Sequence, residues 1–459
     1  MTMNMLQNAA AALMLIAGTG FGQPQPAAQP PSPPSPKSEP APAKAVGPAE
    51  TFRAQGYDWS KLDAALDKLI DKAKLPGAAM VVYKDNTLIY QRYLGNYTPD
   101  TAVMIASSSK WLSGAVIMSL VDEGKLDLDA PISKYLPYFE GDKAAITVRQ
   151  AFSHTSGLES DYAPAENWLI PMDSAARKVA EDAELVAKPG AEFRYGGTSM
   201  QVVGRVAEVV SGKSWNELFK AKLTDPLKMS HTQFGKRGAA PNPLLSGGVS
   251  STLPDYLRFL RAVAGNGEFE GVRVLSEKAV NEMSADQTKG AKMMRQTASR
   301  AADGSRYGIG NWVDRKNDKG ESVSNSSPGK FGFRPWIDRS RGTLGILMIE
   351  DRDTLARGVV SSAQITGIVN AAIDAKHGKP ADAANEKIIG AGSDEGGDAQ
   401  GDGAAEGDAM SRLDANKDGK ISLDEVPTAL RGLFKRLDKN FDAVLTPDEL
   451  EGLKKLRGR

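Results

Sequence analysis

The chain has 459 residues, which is more than one ordinary core needs and predicts two or three units joined by linkers. Its 57 basic and 57 acidic residues give no net charge, which argues against a nucleic-acid partner or a surface strongly attracted to membranes. The absence of cysteine excludes disulfides, thiolate metal sites and a cysteine nucleophile, but it does not fix the compartment.

The N-terminal segment has the composition of a leader followed by a tether. Residues 9–18 are an apolar stretch of signal-peptide length, too short to span a bilayer, and residues 20–22 offer small side chains for cleavage. The first eight residues carry no lysine or arginine, so an alanine-rich disordered start remains the alternative. We expect a signal peptide over 1–22, a Pro/Ala-rich linker over 23–48, and export to the periplasm or the medium with no transmembrane span.

The next 330 or so residues alternate between strand and helix patterns. We predict a helix, two strands, then three further strands and a closing helix, at residues 59–75, 78–83, 88–93, 308–314, 331–338, 343–350 and 356–375. If the two ends form one antiparallel five-stranded sheet flanked by the terminal helices, the residues between them make a mostly helical insert. This predicts an α/β (α+β) domain over 49–378, with a cleft at the junction of sheet and insert.

The most informative motif is Ser107-Ser108-Ser109-Lys110, which heads the apolar run 111–118. On a helix a serine and a lysine three positions apart share a face, so the amine can take the proton of the hydroxyl. Burial in an apolar helix favours the neutral amine that a base requires. The other Ser-x-x-Lys, Ser327 to Lys330, contains a proline and a glycine. An accidental meeting of two common residues is the alternative, and the motif alone does not exclude it.

Further segments extend the pattern, at residues 152–158, 193–197, 202–212 and 327–333. With Ser107 and Lys110, their order and separation resemble the serine hydrolases of the β-lactamase and penicillin-binding-protein superfamily, in particular the class C-like, family VIII esterase type. The resemblance covers about residues 55–375, and the stretch His154-Thr155-Ser156-Gly157-Leu158 makes it specific. It implies a β-lactamase/transpeptidase-like fold and an acyl-enzyme mechanism that needs no cofactor.

The resemblance assigns a role to each matching residue. It implies that Ser107 is the nucleophile, Lys110 its base and Tyr195 the shuttle that returns the proton to the leaving group. It also implies an oxyanion hole made from the backbone N–H groups of Ser107 and Lys330. His154 is expected to buttress the site. A half-buried aromatic whose hydroxyl simply finds a partner is the alternative for Tyr195.

Two departures from the family pattern bear on the substrate. Gly197 stands where the family often has an asparagine that holds the lysine and the acyl amide of the substrate. Ser327-Pro328-Gly329 replaces Lys-Thr-Gly, so the cation that grips a β-lactam or peptide carboxylate is missing, unless Lys330 or Arg334 substitutes for it. We therefore expect an ester or small amide substrate. Its binding site is expected to include three residues of these motifs and an apolar, aromatic-lined cleft: Gly197, Ser327, Gly329, Tyr307, Trp312 and Trp336.

The C-terminal part reads as an acidic Gly/Ala-rich linker over 379–409 and an EF-hand pair over 410–459. Each loop presents oxygen ligands at the spacing that Ca²⁺ requires, and the loops start 24 residues apart. Ala443 replaces the turn glycine of the second loop, which weakens it. An acidic turn without metal is the alternative for both. The predicted ligands are Asp414, Asn416, Asp418, Lys420 and Glu425 in the first loop, and Asp438, Asn440, Asp442, Val444 and Glu449 in the second.

We expect this small all-α module to need Ca²⁺ in order to fold, and to serve a structural or partner-docking role, with a possible protein partner. Three functions then compete. The leading one is an exported serine hydrolase acting on an ester or small amide. The second keeps the machinery but directs it to cell-wall peptides or β-lactams, as a D,D-peptidase or β-lactamase. The third is a non-catalytic, calcium-dependent binding protein on a degenerate hydrolase scaffold.

Overall fold

An eight-stranded antiparallel sheet organises the protein. The structure is a computed structural model that describes residues 51–235, 240–288, 290–294, 304–352, 359–383, 421–422 and 444–445. Its strands are β1 Phe52–Arg53, β2 Gly77–Lys84, β3 Thr87–Gly95, β4 Val103–Met104, β5 Glu192–Phe193, β6 Gln233–Phe234, β7 Val249–Ser251, β8 Glu268–Phe269, β9 Val272–Arg273, β10 Lys292–Met293, β11 Arg306–Tyr307, β12 Trp312–Lys316, β13 Ser322–Ser326, β14 Arg334–Asp338, β15 Thr343–Met348, β16 Ile421–Ser422 and β17 Val444–Leu445.

Helices cover both faces of this sheet. They are α1 Ser60–Ala73, α2 Ser109–Asp122, α3 Val148–Phe152, α4 Met172–Asp182, α5 Thr198–Ser211, α6 Trp215–Phe219, α7 Leu253–Ala264, α8 Glu277–Ser284 and α9 Ser362–His377. Short 3₁₀ turns lie at Ala106–Ser108, Ile132–Lys134, Gly141–Ala145, Ala163–Glu166 and Ala381–Ala383, and a π-helical turn lies at Lys220–Thr224. In this part of the chain no helix is long and apolar enough to cross a membrane.

The sheet joins the two ends of the domain, in the order β1-β3-β2-β15-β14-β13-β12-β11. β2 pairs with β15, with Val81 opposite Ile346. Successive side chains of a strand point to opposite faces, so Met80 packs with the terminal helices α1 and α9 while Val81 packs with the insert. This double burial explains why β2 is an almost continuous apolar run.

The predicted fold class is confirmed, and the sheet has eight strands rather than five. The strand that the pattern missed inside the sheet is β13, whose sequence Ser-Val-Ser-Asn-Ser has a single residue, Val323, of the β-branched and aromatic types that are typical of strands. It pairs with both β12 and β14. Within it, the buried amide of Asn325 donates to the side chain of Asn311 and the carbonyl of Ser284.

Three predicted boundaries shift for local reasons. The strand expected from residue 308 begins at Trp312, because residues 308–311 form a turn in which Gly310 has φ 80° and the Gly308 N–H donates to the Asn311 carbonyl. The strand expected from residue 331 begins at Arg334, because residues 329–332 form a turn in which Gly332 has φ 92° and its N–H donates to the Gly329 carbonyl. The last helix begins at Ser362, where Ser361 and Gln364 form a capping box. The predicted leader and tether, most of the acidic linker and nearly all of the EF-hand module lie outside the described residues.

Candidate active site

Ser107 lies in a tight turn at the start of a buried helix. Every residue of α2 from Ser109 to Leu120 is buried, and the 3₁₀ turn before it carries Ser107 at 2 % exposure. Ala106 adopts φ 45°, the left-handed region that a residue with a β-carbon rarely occupies, and such strain is typical of functional turns. The Ser109 hydroxyl holds this turn by donating to the Ala106 carbonyl at 2.6 Å.

Lys110 points its amine at the hydroxyl of Ser107. The distance from Nζ to Ser107 Oγ is 3.1 Å, and Nζ also donates to the Ser246 carbonyl at 2.8 Å. The amine lies 4.5 Å from the centre of the Tyr195 ring. With Lys110 at 2 % exposure, the protein has replaced the water around this amine by one hydroxyl, one carbonyl and an aromatic face. This is hydrogen-bond reach between a nucleophile and a base.

Close backbone packing holds α2 against the edge of the sheet. A Cβ on Gly114 would lie 2.4 Å from the Ile309 carbonyl oxygen, and one on Gly310 would lie 2.1 Å from the Lys110 carbonyl oxygen. Real Cβ atoms do not approach this closely, so both positions need glycine. Gly310 also has φ 80°. The helix that carries the serine and the lysine therefore contacts the segment before β12 backbone to backbone.

The hairpin between β13 and β14 is tied to the nucleophile turn. The Ser108 hydroxyl donates to the Ser327 carbonyl at 2.5 Å, and the Ser327 hydroxyl donates to the Ser107 carbonyl at 3.2 Å. A Cβ on Gly329 would lie 2.1 Å from the Ile105 carbonyl oxygen, so this glycine permits the approach. Lys330 follows it, half-buried in the same hairpin turn.

Arg334 does not substitute for the missing cation. It is buried, and its Nε donates to the Thr366 hydroxyl of α9 at 3.1 Å, on the terminal-helix side of the sheet. Ser327 uses its hydroxyl for the backbone of Ser107, as described above. Of the two candidate substitutes for the missing cation, Arg334 is therefore directed away from the nucleophile, and Lys330 remains, half-buried in the hairpin turn next to Gly329.

Tyr195 and His154 belong to an aromatic cluster behind the lysine. The ring centres of His154 and Tyr195 are 4.5 Å apart, and the Tyr195 ring stacks on Trp312 at 5.6 Å. His154 is buried with φ 61°, and neither ring nitrogen has a hydrogen-bond partner among the described residues. Burial lowers the pKa of His154 well below 6.5. A neutral ring packed against Tyr195 fits the expected buttress.

The three aromatic side chains expected to line a cleft are buried among the residues that the structure describes. Tyr307 and Trp312 are 0 % and 1 % exposed and pack against Phe193 and Tyr195, behind the site. Trp336 points to the other face of the sheet and joins the cluster under α1 and α9. All three were expected to contact substrate, and their burial argues instead for a role in supporting Tyr195 and the sheet. Strand patterns do not show which face of a sheet meets the cleft.

Sequence reasoning missed Glu166. Its Oε1 lies 2.0 Å from the point where a Cβ on Gly197 would be, and Ser246 Oγ lies 2.8 Å from the same point. The carboxylate therefore fills the space that a side chain at 197 would take. Only the fold brings residue 166, which lies in a 3₁₀ turn, to residue 197 at the start of α5. No pattern in the sequence signals this contact.

Two dipeptides of the predicted EF-hand module are described. Ile421 pairs with Leu445 and Ser422 with Val444 in a two-residue antiparallel ladder. Ile421 and Leu445 are the eighth residues of the two predicted loops. In the remaining described residues no group of acidic or histidine side chains is arranged to hold a metal. The other predicted ligands lie outside the described residues: Asp414, Asn416, Asp418, Lys420, Glu425, Asp438, Asn440, Asp442 and Glu449.

Comparison with known proteins gives the family. Residues 62–366 match the family model described as Beta-lactamase. A Bacteroides dorei DSM 17855 protein solved as a candidate beta-lactamase is 33 % identical with a TM-score of 0.63, over 69 % of this chain and 99 % of that one. Penicillin-binding protein 4 of Amycolatopsis lactamdurans is 27 % identical over 263 residues, which are 48 % of this chain and 68 % of that protein. Protein flp of Staphylococcus aureus strain MW2 is 28 % identical over 189 residues, and the match spans only 38 % of its length and 38 % of this chain. The chain belongs to the beta-lactamase family.

Proposed function

We propose that the protein is a serine hydrolase that cleaves an ester or small amide through an acyl-enzyme on Ser107. The observation that carries this proposal is the 3.1 Å contact between Lys110 Nζ and Ser107 Oγ in a buried site. Lys110 acts as the base and Tyr195, whose ring covers the amine, as the proton shuttle. A degenerate binding scaffold has no reason to keep a buried amine aimed at a buried hydroxyl.

The reaction has two halves. Ser107 Oγ bonds to the substrate carbonyl carbon while its proton passes to the Lys110 amine, and the carbonyl oxygen becomes an oxyanion that accepts from the N–H groups of Ser107 and Lys330. The bond to the leaving group then breaks, and that group takes the proton from Lys110 through Tyr195. Water attacks the resulting ester with the same base, which releases the acid and restores Ser107.

The charges near the nucleophile favour a substrate without a carboxylate. A β-lactam or cell-wall peptide presents a carboxylate, and such a group binds best to a fixed cation. Ser327 replaces the lysine that the family pattern supplies, and Arg334 bonds to α9 instead. These two facts support ester or small-amide hydrolysis over penicillin-directed chemistry.

A second candidate is a D,D-peptidase or β-lactamase. The likeness to penicillin-binding protein 4 favours it, because the match reaches 68 % of that protein. Turnover of nitrocefin, or stable acylation by penicillin, would raise this candidate above the first. Lack of reaction with both would leave the esterase proposal as the better one.

The C-terminal module is proposed to bind Ca²⁺ through its two loops. Pairing of the two eighth residues, Ile421 with Leu445, supports this, since it places equivalent points of the loops side by side. The carboxylate, amide and carbonyl oxygens at the predicted positions are the ligands that Ca²⁺ prefers. We assign the module a structural or docking role, because a long acidic linker separates it from the hydrolase domain. Export of the protein through the N-terminal leader is part of the same proposal.

Labelling with a fluorophosphonate probe tests the hydrolase. The wild type should label and should hydrolyse 4-nitrophenyl butyrate, and Ser107→Ala should do neither. Ser119→Ala is the matched control, because Ser119 is also a buried serine of α2 but bonds only to the Val116 carbonyl in its own helix. Labelling that persists in Ser107→Ala would refute the assignment, and absence of labelling in the folded wild type would favour the binding-protein function.

A further inference from the structure

Two serine hydroxyls join the nucleophile turn to the hairpin between β13 and β14 in opposite directions. Ser108 Oγ donates to the Ser327 carbonyl at 2.5 Å, and Ser327 Oγ donates to the Ser107 carbonyl at 3.2 Å. Each segment thus supplies one donor and one acceptor, and we refer to this pair as the reciprocal serine bonds. Ser108 and Ser327 are 0 % and 3 % exposed, so water does not compete for these bonds.

The two segments are also fixed internally. On the nucleophile side, the hydroxyl of buried Tyr256 donates to the Ser108 carbonyl at 2.9 Å. On the hairpin side, the Gly329 N–H donates to the Phe333 carbonyl at 2.7 Å, which closes the turn that carries Lys330. Buried hydrogen-bond networks of this kind rigidify the segments that they join. The reciprocal serine bonds therefore set the position of one rigid segment relative to the other.

The proposed reaction depends on that relative position. The oxyanion is proposed to accept from the N–H groups of Ser107 and Lys330, and each segment carries one of these donors. Both donors must lie at hydrogen-bond distance from the developing charge, and a misplacement of about 1 Å can cost about 10²-fold in rate. The Ser327 hydroxyl bonds to the carbonyl of the nucleophile itself, and its next acceptor, the Gly310 carbonyl at 3.4 Å, lies in the segment packed on α2.

We propose that Ser108 and Ser327 are positioning residues that hold the two halves of the oxyanion hole at the separation that the transition state requires. This inference rests on the proposed function and adds to it two residues that act through the backbone of Ser107 and Lys330. It also gives a role to the serine that stands where the family pattern has a lysine. Because the oxyanion forms during the reaction and is absent from the bound substrate, loss of these bonds should weaken transition-state binding more than substrate binding.

The first test compares Ser108→Ala, Ser327→Ala and the double variant with Ser326→Ala, all in the full-length protein. Ser326 provides the matched control, because it is a buried serine next to Ser327 whose hydroxyl has no partner among the described residues. For 4-nitrophenyl butyrate, kcat/KM should fall about 10- to 100-fold in each single variant of the reciprocal bonds and stay unchanged in Ser326→Ala. The double variant should lose less than the product of the two single losses, because either change already frees the same two segments.

A second test uses a transition-state analogue to separate positioning from general support of the fold. Ser107 Oγ adds to the boron of butylboronic acid while its proton passes to Lys110, and a hydroxyl on the tetrahedral boron takes the place of the oxyanion. The inhibition constant of this compound should rise about tenfold or more in Ser108→Ala and Ser327→Ala. The inhibition constant of butyl 4-nitrophenyl ether, which has no carbonyl, should stay within about twofold of the wild-type value.

Three outcomes would overturn the inference: a wild-type kcat/KM in both folded single variants, losses that multiply in full in the double variant, or an equal rise in both inhibition constants. The last would make the two serines a support for the whole site. If thermal unfolding shows that Ser327→Ala does not fold, Ser108→Ala breaks the connection from the other side and gives the same comparison with the inhibitors. Failure of the proposed function looks different, because the wild type then neither labels with the fluorophosphonate nor cleaves 4-nitrophenyl butyrate.

Discussion

Replacing Lys110 by methionine removes the amine and keeps most of the side-chain volume. In the folded protein this amine bonds to Ser107 Oγ at 3.1 Å and to the Ser246 carbonyl at 2.8 Å, with Lys110 only 2 % exposed. The variant therefore loses the base and one donor to a buried carbonyl at once. Its effects on rate and on stability can be separated, because they come from different partners.

The expected loss of rate is large and the expected loss of stability is small. A positioned general base contributes about 10²- to 10⁴-fold, so kcat/KM should fall by that factor, or roughly 3 to 5 kcal/mol of transition-state stabilisation. Leaving the Ser246 carbonyl without this donor costs about 1–3 kcal/mol of stability. Removal of a buried amine, which no longer has to be desolvated, offsets part of that cost.

The variant Lys110→Arg tests whether Lys110 acts by taking a proton from Ser107 or only by its positive charge. Arginine keeps a cation and its hydrogen-bond donors but is not deprotonated in proteins, so it cannot act as the base. Initial rates with 4-nitrophenyl butyrate between pH 6 and 9, measured beside thermal unfolding, should show both variants folded and nearly inactive. If folded Lys110→Arg kept more than about a tenth of the wild-type kcat/KM, Lys110 would act as an electrostatic group and our reasoning about the base would be wrong.

Three further predictions concern stability, acid sensitivity and calcium. Gly114→Ala should lower the free energy of unfolding by about 1–3 kcal/mol in urea titrations, because its Cβ would lie 2.4 Å from the Ile309 carbonyl oxygen; an unchanged midpoint would contradict the backbone contact. The low pKa of His154 means that the unfolded chain takes up a proton below pH 6.5 while the folded protein does not. The free energy of unfolding should therefore decrease as the pH is lowered below 6.5, by up to roughly 1.4 kcal/mol per pH unit. His154→Phe should flatten this slope, as followed by urea midpoints from pH 7 to 5. Glu425→Gln should weaken Ca²⁺ binding to the full chain at least about tenfold by calorimetry, with esterase kcat unchanged; a kcat that responds to Ca²⁺ would instead indicate regulation.

Features set by neighbours in the sequence were predicted well. Ser107 of the 3₁₀ turn and Lys110 of α2 meet because the two helical segments are continuous, and three residues along a helical backbone bring side chains to one face. The run of apolar residues in β2 is long enough to predict a strand before its neighbouring strands are known. The weak strand β13 was missed for the opposite reason, since its serines are stable there only between two neighbouring strands.

Features that need distant parts of the chain were decided by tertiary structure. The sequence by itself determined the serine–lysine pair, the family resemblance and the missing lysine at Ser327. Packing alone decided that Trp312 lies behind Tyr195 and that Glu166 fills the space beside Gly197. The physical reason is that helix and strand periods report which residues share a face, whereas the face of one element that meets another depends on the volumes and close approaches of the whole fold.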